Sequence, residues 1–164
     1  MPKSGSISYA AKIGNEMLID DALHQVQTIF LDSAPVIYYI ERNSEFFARA
    51  RLFFQRINDG RVMAVTSPIT VAECLYYPYK QAHTSLIQAF QSLLIQGPNT
   101  HFIPINAQIA DQSAQLRAHY NLGFADALQI ATALQAHCDA FLTNDKKLKR
   151  VQNIKVIVLD QITT

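Results

Sequence analysis

Little in this chain suggests a disulfide-built, metal-finger or membrane-embedded protein. It has only two cysteines in 164 residues. Cys74 and Cys138 lie far apart, with no CxxC and no nearby histidine pair of zinc spacing. Two buried thiols in a reducing cytosol are therefore expected. No apolar run approaches the length of a membrane span, and the first residues lack the apolar core of a signal peptide. The expectation is a cytoplasmic protein with no membrane partner. The glycine patterns of P-loop and dinucleotide sites are missing, and so are internal repeats. Charge of one sign is also lacking. A formal net charge of +1 neither demands nor excludes nucleic acid, because a nuclease needs only a local basic patch.

What is present is the material of a globular core, with 49% hydrophobic and 16% charged residues. That composition separates the chain from disordered proteins, and its length suits one domain. Residues 1–16 are small, polar and weakly periodic, and are expected to form a flexible tail. Residues 17–164 are expected to form a single domain, with a second initiation codon at Met17 as a hypothesis. Apolar residues at 18, 19, 22, 23 and 26 predict a helix over 17–26. Asp20 and Asp21 read as its solvated first turn.

Residues 28–41, TIFLDSAPVIYYIE, organise the rest of the chain. Thr28 to Leu31 is short, apolar and rich in β-formers, as in a strand buried on both faces. Asp32 ends it, Ser33 is expected to cap a helix, and Pro35 suits that helix's first turn. A carboxylate just beyond a buried parallel strand stands where such sheets place their ligands. A turn or cap role for Asp32 is the competing reading.

Further along, residues 44–58 predict a helix with an aromatic face (Phe46, Phe47, Phe53, Phe54), ended by Asp59-Gly60. Core packing competes there with partner docking. Residues 61–66 predict a strand, and Ser67-Pro68 opens a helix carrying Glu73 on an otherwise apolar segment. Pro78 is expected to break or kink that run. A helix to about Gln96 follows, then an edge strand over 101–105 weakened by Pro104. Asn106 is expected to cap a helix ended by Gly123. Residues from Phe124 predict a deeply buried helix with Asp126 in its first turn. Residues 140–143 form a strand followed directly by Asn144-Asp145, then the basic KKLKR, then a last strand over 155–159. Strands alternating with helices mean an α/β fold: three α/β/α layers around a parallel sheet of about five strands.

In such a fold Asp32, Glu73, Asp126 and Asp145 can converge at the carboxyl edge of the sheet. Four carboxylates together repel one another and raise each other's pKa. A hard divalent cation removes that penalty, and oxygen-only ligation favours Mg²⁺ or Mn²⁺ over zinc. Such a cluster can activate water against a phosphodiester.

The same segments resemble motifs of the PIN-domain family, specifically bacterial VapC-like toxin ribonucleases, over about residues 28–159. FLDSAPVIYYIE is similar to the first motif, ITVAECL to the second, FADALQIATAL to the third and FLTNDKKLKR to the fourth. Asp32, Glu73, Asp126 and Asp145 take the acid positions, and Ser33 and Thr143 match hydroxyls that commonly assist them. Ala125 departs from the pattern, where proline is common.

The resemblance implies a PIN-like fold and a Mg²⁺- or Mn²⁺-dependent endoribonuclease leaving a 3′-hydroxyl and a 5′-phosphate. Asp32, Asp126 and Asp145 would hold metal, and Glu73 would bind metal or orient water. Lys146, Lys147, Lys149 and Arg150 would guide RNA, unless they are simply a solvated face. A homodimer is also implied, together with a small antitoxin whose apolar segment enters a groove near residues 46–54. Two rival functions compete with this one. A phosphatase using Asp32 as nucleophile wants a second Asp two residues on, where Ala34 stands. A non-catalytic RNA- or protein-binding module on the same fold is the other alternative.

Overall fold

The computed structural model describes residues 16–164; the expected tail lies almost entirely outside them. Strands β1 (Thr28–Leu31), β2 (Met63–Thr66), β3 (Thr100–Phe102), β4 (Ala140–Thr143) and β5 (Lys155–Val158) form one sheet. Their order is β3-β2-β1-β4-β5 and every pairing is parallel. Helix α1 (Ile19–Ala22) precedes β1; α2 (Ser33–Ile40), α3 (Phe47–Asn58), α4 (Pro68–Lys80), α5 (Thr84–Gln96), α6 (Ala107–Tyr120) and α7 (Phe124–Gln135) provide the crossovers as far as β4, and a 3-10 helix (Lys146–Arg150) leads from β4 to β5. The α/β reading and the strand count are met.

Alternate strand residues serve opposite faces, as a parallel sheet covered on both sides requires. Ile29, Leu31, Ala64, Ala140 and Leu142 join a core with residues of α2 to α5. Phe30, Val65 and Phe141 join a second core with α6 and α7. The Phe30 and Phe141 rings stack there, 5.2 Å apart and 4° from parallel. Two cores either side of one sheet make three layers. None of the helices among the described residues is long and apolar enough to cross a membrane.

Several local expectations shift. The helix over 17–26 shrinks to Ile19–Ala22. Met17 is drawn into a parallel bridge with Ile162, and Gln25 takes a left-handed turn (φ 59) before β1. The start of the Phe-rich helix moves to Phe47, because Asn43 Oδ1 accepts the Glu45 and Phe46 N–H groups in a preceding turn. Pro78 does not break α4, which runs on to Lys80. Pro78 has no N–H to donate to the Cys74 carbonyl one turn back, so one bond is missing, but only two helical residues follow it. Asn121, with φ 52, ends α6 in the left-handed conformation, rather than Gly123, which instead precedes α7. β3 lies at the sheet edge, as expected of the proline-weakened strand, but spans only Thr100–Phe102.

Candidate active site

From β1 the chain steps to β2 and β3 on one side, then returns past β1 to β4 and β5 on the other. The switch in direction therefore falls between β1 and β4, and ligands of open parallel sheets bind beyond the strand ends at such a point. Asp32 follows β1 there, and Asp145 follows β4 after one intervening residue.

Asp32 is buried and is itself the N-cap of α2, which corrects the expectation that Ser33 would cap. Its Oδ1 accepts the Ser33 N–H at 2.7 Å and the Gln129 Nε2–H at 3.1 Å. Its Oδ2 accepts the Thr143 hydroxyl at 2.7 Å. The two readings of Asp32, cap and site acid, are thus compatible. Burial pushes its carboxyl above the usual range; the Thr143, Ser33 and Gln129 hydrogen bonds oppose that, and the Asp145 charge adds to it.

Thr143 has a second task, accepting the Asp145 backbone N–H at 3.0 Å. Asp145 caps the following 3-10 helix (Lys146–Arg150), its Oδ1 accepting the Lys147 N–H at 2.9 Å. Ser33 places its Oγ 3.5 Å from Asp32 Oδ1, and its carbonyl lies 3.8 Å from the Cys74 thiol.

Glu73 is exposed, so its carboxylate is solvated although the segment around it is otherwise apolar. α4 turns its apolar neighbours Cys74 and Leu75 inward and leaves Glu73 at the surface. Its Oε2 lies 3.5 Å from Gln129 Nε2. Asp126, half-buried in the first turn of α7, has its carboxyl raised by burial and then by the charges of Asp32, Asp145 and Glu73, with Arg150 opposing. Asp32, Asp145 and Glu73 thus all lie within electrostatic reach of Asp126. Gly123 leaves room for this placement, since a Cβ there would stand 3.3 Å from Asp126 Oδ2.

Sequence reasoning missed Gln129. It is fully buried on α7, three residues after Asp126 and so on the same helical face. Its amide nitrogen faces Asp32 and Glu73, and its carbonyl oxygen stands 3.1 Å from the Thr70 hydroxyl. Thr70 also reaches the Leu31 carbonyl at 3.2 Å. A polar side chain within the Ala-rich FADALQIATAL was the available signal, because a buried amide must find partners.

The donor set fits a hard divalent cation in charge and atom type, being all carboxylate oxygen. As placed, however, the acids do not close around one: among the described residues no three His, Cys, Asp or Glu side chains are gathered so as to hold a metal ion. Hydrogen bonds to Ser33, Thr143 and Gln129 occupy Asp32 instead. Of the basic residues, Lys146 pairs with Asp160 at 2.6 Å, Lys149 Nζ meets Gln161 Oε1 at 2.5 Å, and Arg150 donates to the Asn121 carbonyl at 3.0 Å. Burial pushes the Cys74 thiol up, and that of Cys138 up to about 12, so both are inert thiols.

The Phe-rich helix divides its face. Phe53 and Phe54 are buried in the core, while Phe46 and Phe47 are half-buried. Phe46 stacks on Tyr38 at 4.7 Å; Tyr39 lies 4.0 Å from Phe54 and 5.9 Å from Phe47. Tyr39, Ile40, Arg42 and Phe47 border a surface cavity of about 200 Å³.

No curated protein sequence matches the chain. Solved structures do resemble it. VapBC2 from Rickettsia felis bound to a DNA fragment from its promoter is 18% identical, with a TM-score of 0.63 over 80% of this chain and 98% of that one. FitAcB from Neisseria gonorrhoeae is 20% identical, with a TM-score of 0.61 over 80% and 97%. Mycobacterium tuberculosis VapC20, described as a sarcin-ricin loop cleaving toxin, is 13% identical, with a TM-score of 0.62 over 74% and 93%. At these identities the likeness establishes a shared fold. The PIN domain family model matches residues 29–154, a span that includes all four acids, and the chain belongs to the PIN domain family.

Proposed function

We propose that this protein is a Mg²⁺- or Mn²⁺-dependent endoribonuclease and the toxin of a toxin–antitoxin pair. The observation that carries this reading is that Asp32 and Asp145 follow the two strands at the switch point and that their charges, with that of Glu73, raise the half-buried Asp126 carboxyl. The repulsion that Asp126 feels there is a cost that a bound cation would relieve. A toxin–antitoxin complex among the structural neighbours, and a sarcin-ricin loop cleaving toxin, support the biological half of the reading.

Asp32, Asp126 and Asp145 would hold the cation, with Glu73 as a further ligand or as the group that orients the attacking water. When bound, the cation would neutralise charge on the scissile phosphate and make water a better nucleophile. Thr143 and Ser33 position Asp32, and Thr143 also positions the Asp145 backbone. Exposed Glu73, at the mouth of the site, is the acid best placed to accept a proton from water. Lys146, Lys147, Lys149 and Arg150 stand beside Asp145 and supply positive potential along the RNA backbone.

Residues 17–164 act as one nuclease domain in the cytoplasm, working as a homodimer. The cavity beside Tyr39 and Phe47 receives an apolar segment of the antitoxin; half-exposed aromatic stacks offer such a segment area to bury.

The test is cleavage of structured RNA with Mg²⁺ or Mn²⁺. Wild type cuts, EDTA abolishes cutting, and Asp32→Asn and Asp145→Asn each lower the rate at least about a hundredfold. Equal activity in EDTA, or in both variants, defeats the metal-nuclease reading. Binding without cleavage under every divalent metal transfers the assignment to a non-catalytic module. Growth unaffected by expression removes the toxin role.

A further inference from the structure

Gln129 is fully buried in an otherwise apolar stretch of α7, yet its amide touches side chains from two other parts of the fold. Packing alone is met by an apolar residue, without the desolvation that an amide suffers. The amide has one workable orientation. Two ionised carboxylates have no proton to give, so the nitrogen faces Asp32 and Glu73, and the oxygen is left for the Thr70 hydroxyl. Thr70 is itself fully buried, 3.2 Å from the Leu31 carbonyl at the end of β1, and fixes the amide from behind.

The two acids depend on that amide to different degrees. Asp32 has two shorter partners, the Ser33 N–H and the Thr143 hydroxyl, both at 2.7 Å. Among the described residues Gln129, at 3.5 Å, is the one hydrogen-bond partner of the Glu73 carboxylate. Removing the amide therefore leaves Asp32 held and releases Glu73. The lone pairs of Asp32 separate the two acids further, since each carboxylate oxygen offers about two acceptor sites. Oδ1 has filled both, with the Ser33 and Gln129 N–H groups, and the Ser33 Oγ stands a further 3.5 Å away. Oδ2 has filled one, with Thr143, whose hydroxyl also accepts the Asp145 N–H. The open site on Asp32 thus belongs to the oxygen tied to Asp145, and the oxygen tied to Glu73 is closed.

We infer that Gln129 is the positioning residue of Glu73, holding its carboxylate beside Asp32 but apart from any cation that Asp32 binds, and so assigning Glu73 to the attacking water rather than to the metal. This rests on the metal-dependent ribonuclease reading and decides between the two roles that reading leaves to Glu73. The amide nitrogen stands where a cation shared between Asp32 Oδ1 and Glu73 would otherwise lie. It supplies hydrogen-bond donors to both acids without a charge that would bind them as ligands.

The test measures Mn²⁺ binding apart from cleavage, on the full chain. Free Mn²⁺ is counted by its electron paramagnetic resonance signal in the absence of RNA. Asp32→Asn weakens Mn²⁺ binding at least about tenfold, whereas Glu73→Gln and Gln129→Met each change it by less than about threefold. In cleavage, Glu73→Gln and Gln129→Met each lower kcat about 10- to 100-fold and leave KM for RNA within about twofold. The double variant is no slower than Glu73→Gln alone, because Gln129 acts through Glu73. Thr70→Val, which frees the amide to turn, lowers kcat in the same direction, and Thr70→Ser recovers most of the loss. That pair carries the test where Gln129→Met does not fold.

A larger loss of Mn²⁺ affinity in Glu73→Gln makes Glu73 a metal ligand and overturns the inference. Unchanged kcat in Gln129→Met, or in Thr70→Val where the first does not fold, overturns it too. So do losses of kcat that simply multiply in the double variant, since Gln129 would then act by another route. None of these results touches the nuclease reading, because wild type still cuts RNA in each. A wild type that cuts no RNA with Mn²⁺ removes that reading and the inference together.

Discussion

The Thr143 hydroxyl donates a 2.7 Å hydrogen bond to Asp32 Oδ2 across 111 residues of sequence, and accepts the Asp145 N–H at 3.0 Å. One fully buried hydroxyl thus ties the acid after β1 to the chain carrying the acid after β4. Thr143→Val keeps the shape and removes both bonds. It should cost about 2–4 kcal/mol, because a buried carboxylate oxygen and a backbone N–H each lose a partner. Thr143→Ser should recover most of that. Urea unfolding in EDTA measures it, and a midpoint unchanged in the valine variant would show that the bond does not hold the site.

Gln129 is the neutral bridge between two acids. Gln129→Met preserves volume but removes the donor facing Asp32 and Glu73, and should cost about 1–3 kcal/mol. Gln129→Glu replaces that donor with a fifth acid and should destabilise more in EDTA than in Mn²⁺, since a cation relieves the added repulsion. Thermal melts of both variants with and without Mn²⁺ provide the comparison. A loss for Gln129→Glu that is the same with and without Mn²⁺ would contradict the assigned donor set.

Asp126 predicts a pH signature. Its carboxyl is raised by burial and by three neighbouring charges. A carboxyl whose folded pKa exceeds its unfolded value lets stability fall as pH rises from the ordinary carboxylate range through the folded value. In EDTA, Asp126→Asn should therefore melt above wild type at neutral pH, the gap closing below about pH 4, where the unfolded carboxyl is itself protonated. A gap that is constant across that range would point to packing rather than charge.

Two phenylalanines one helical stretch apart should behave differently. Phe54, buried against Tyr39, should cost about 3–5 kcal/mol on truncation to alanine. Phe47, half-buried at the surface cavity, should cost only about 1 kcal/mol. Protection from growth arrest by a co-expressed antitoxin should nevertheless fail in Phe47→Ala. Full protection in that variant would place the antitoxin elsewhere.

Much of this protein is readable along the chain. TIFL and AFLT are the strands Thr28–Leu31 and Ala140–Thr143 residue for residue. A strand buried on both faces reads as a near-continuous run of apolar and β-branched residues, and a charged residue marks where it has ended. Asp32 and Asp145 stand just beyond such boundaries, Glu73 on a helix entered from one, and Asp126 in the first turn of the helix that precedes β4, so each candidacy is local information.

What the local pattern could not decide was partnership. Glu73 turned outward, Thr143 reaching Asp32 across 111 residues, and Gln129 reaching Asp32 and Glu73 across 97 and 56 residues depend on how β1, β4, α4 and α7 pack. The truncation of α1 by the pairing of Met17 with Ile162 is of the same kind. Sequence by itself determined which residues must be buried or capped, because those demands act within a few residues of chain. Tertiary structure alone decided which polar groups share one low-dielectric space, because that depends on contacts closed over long loops.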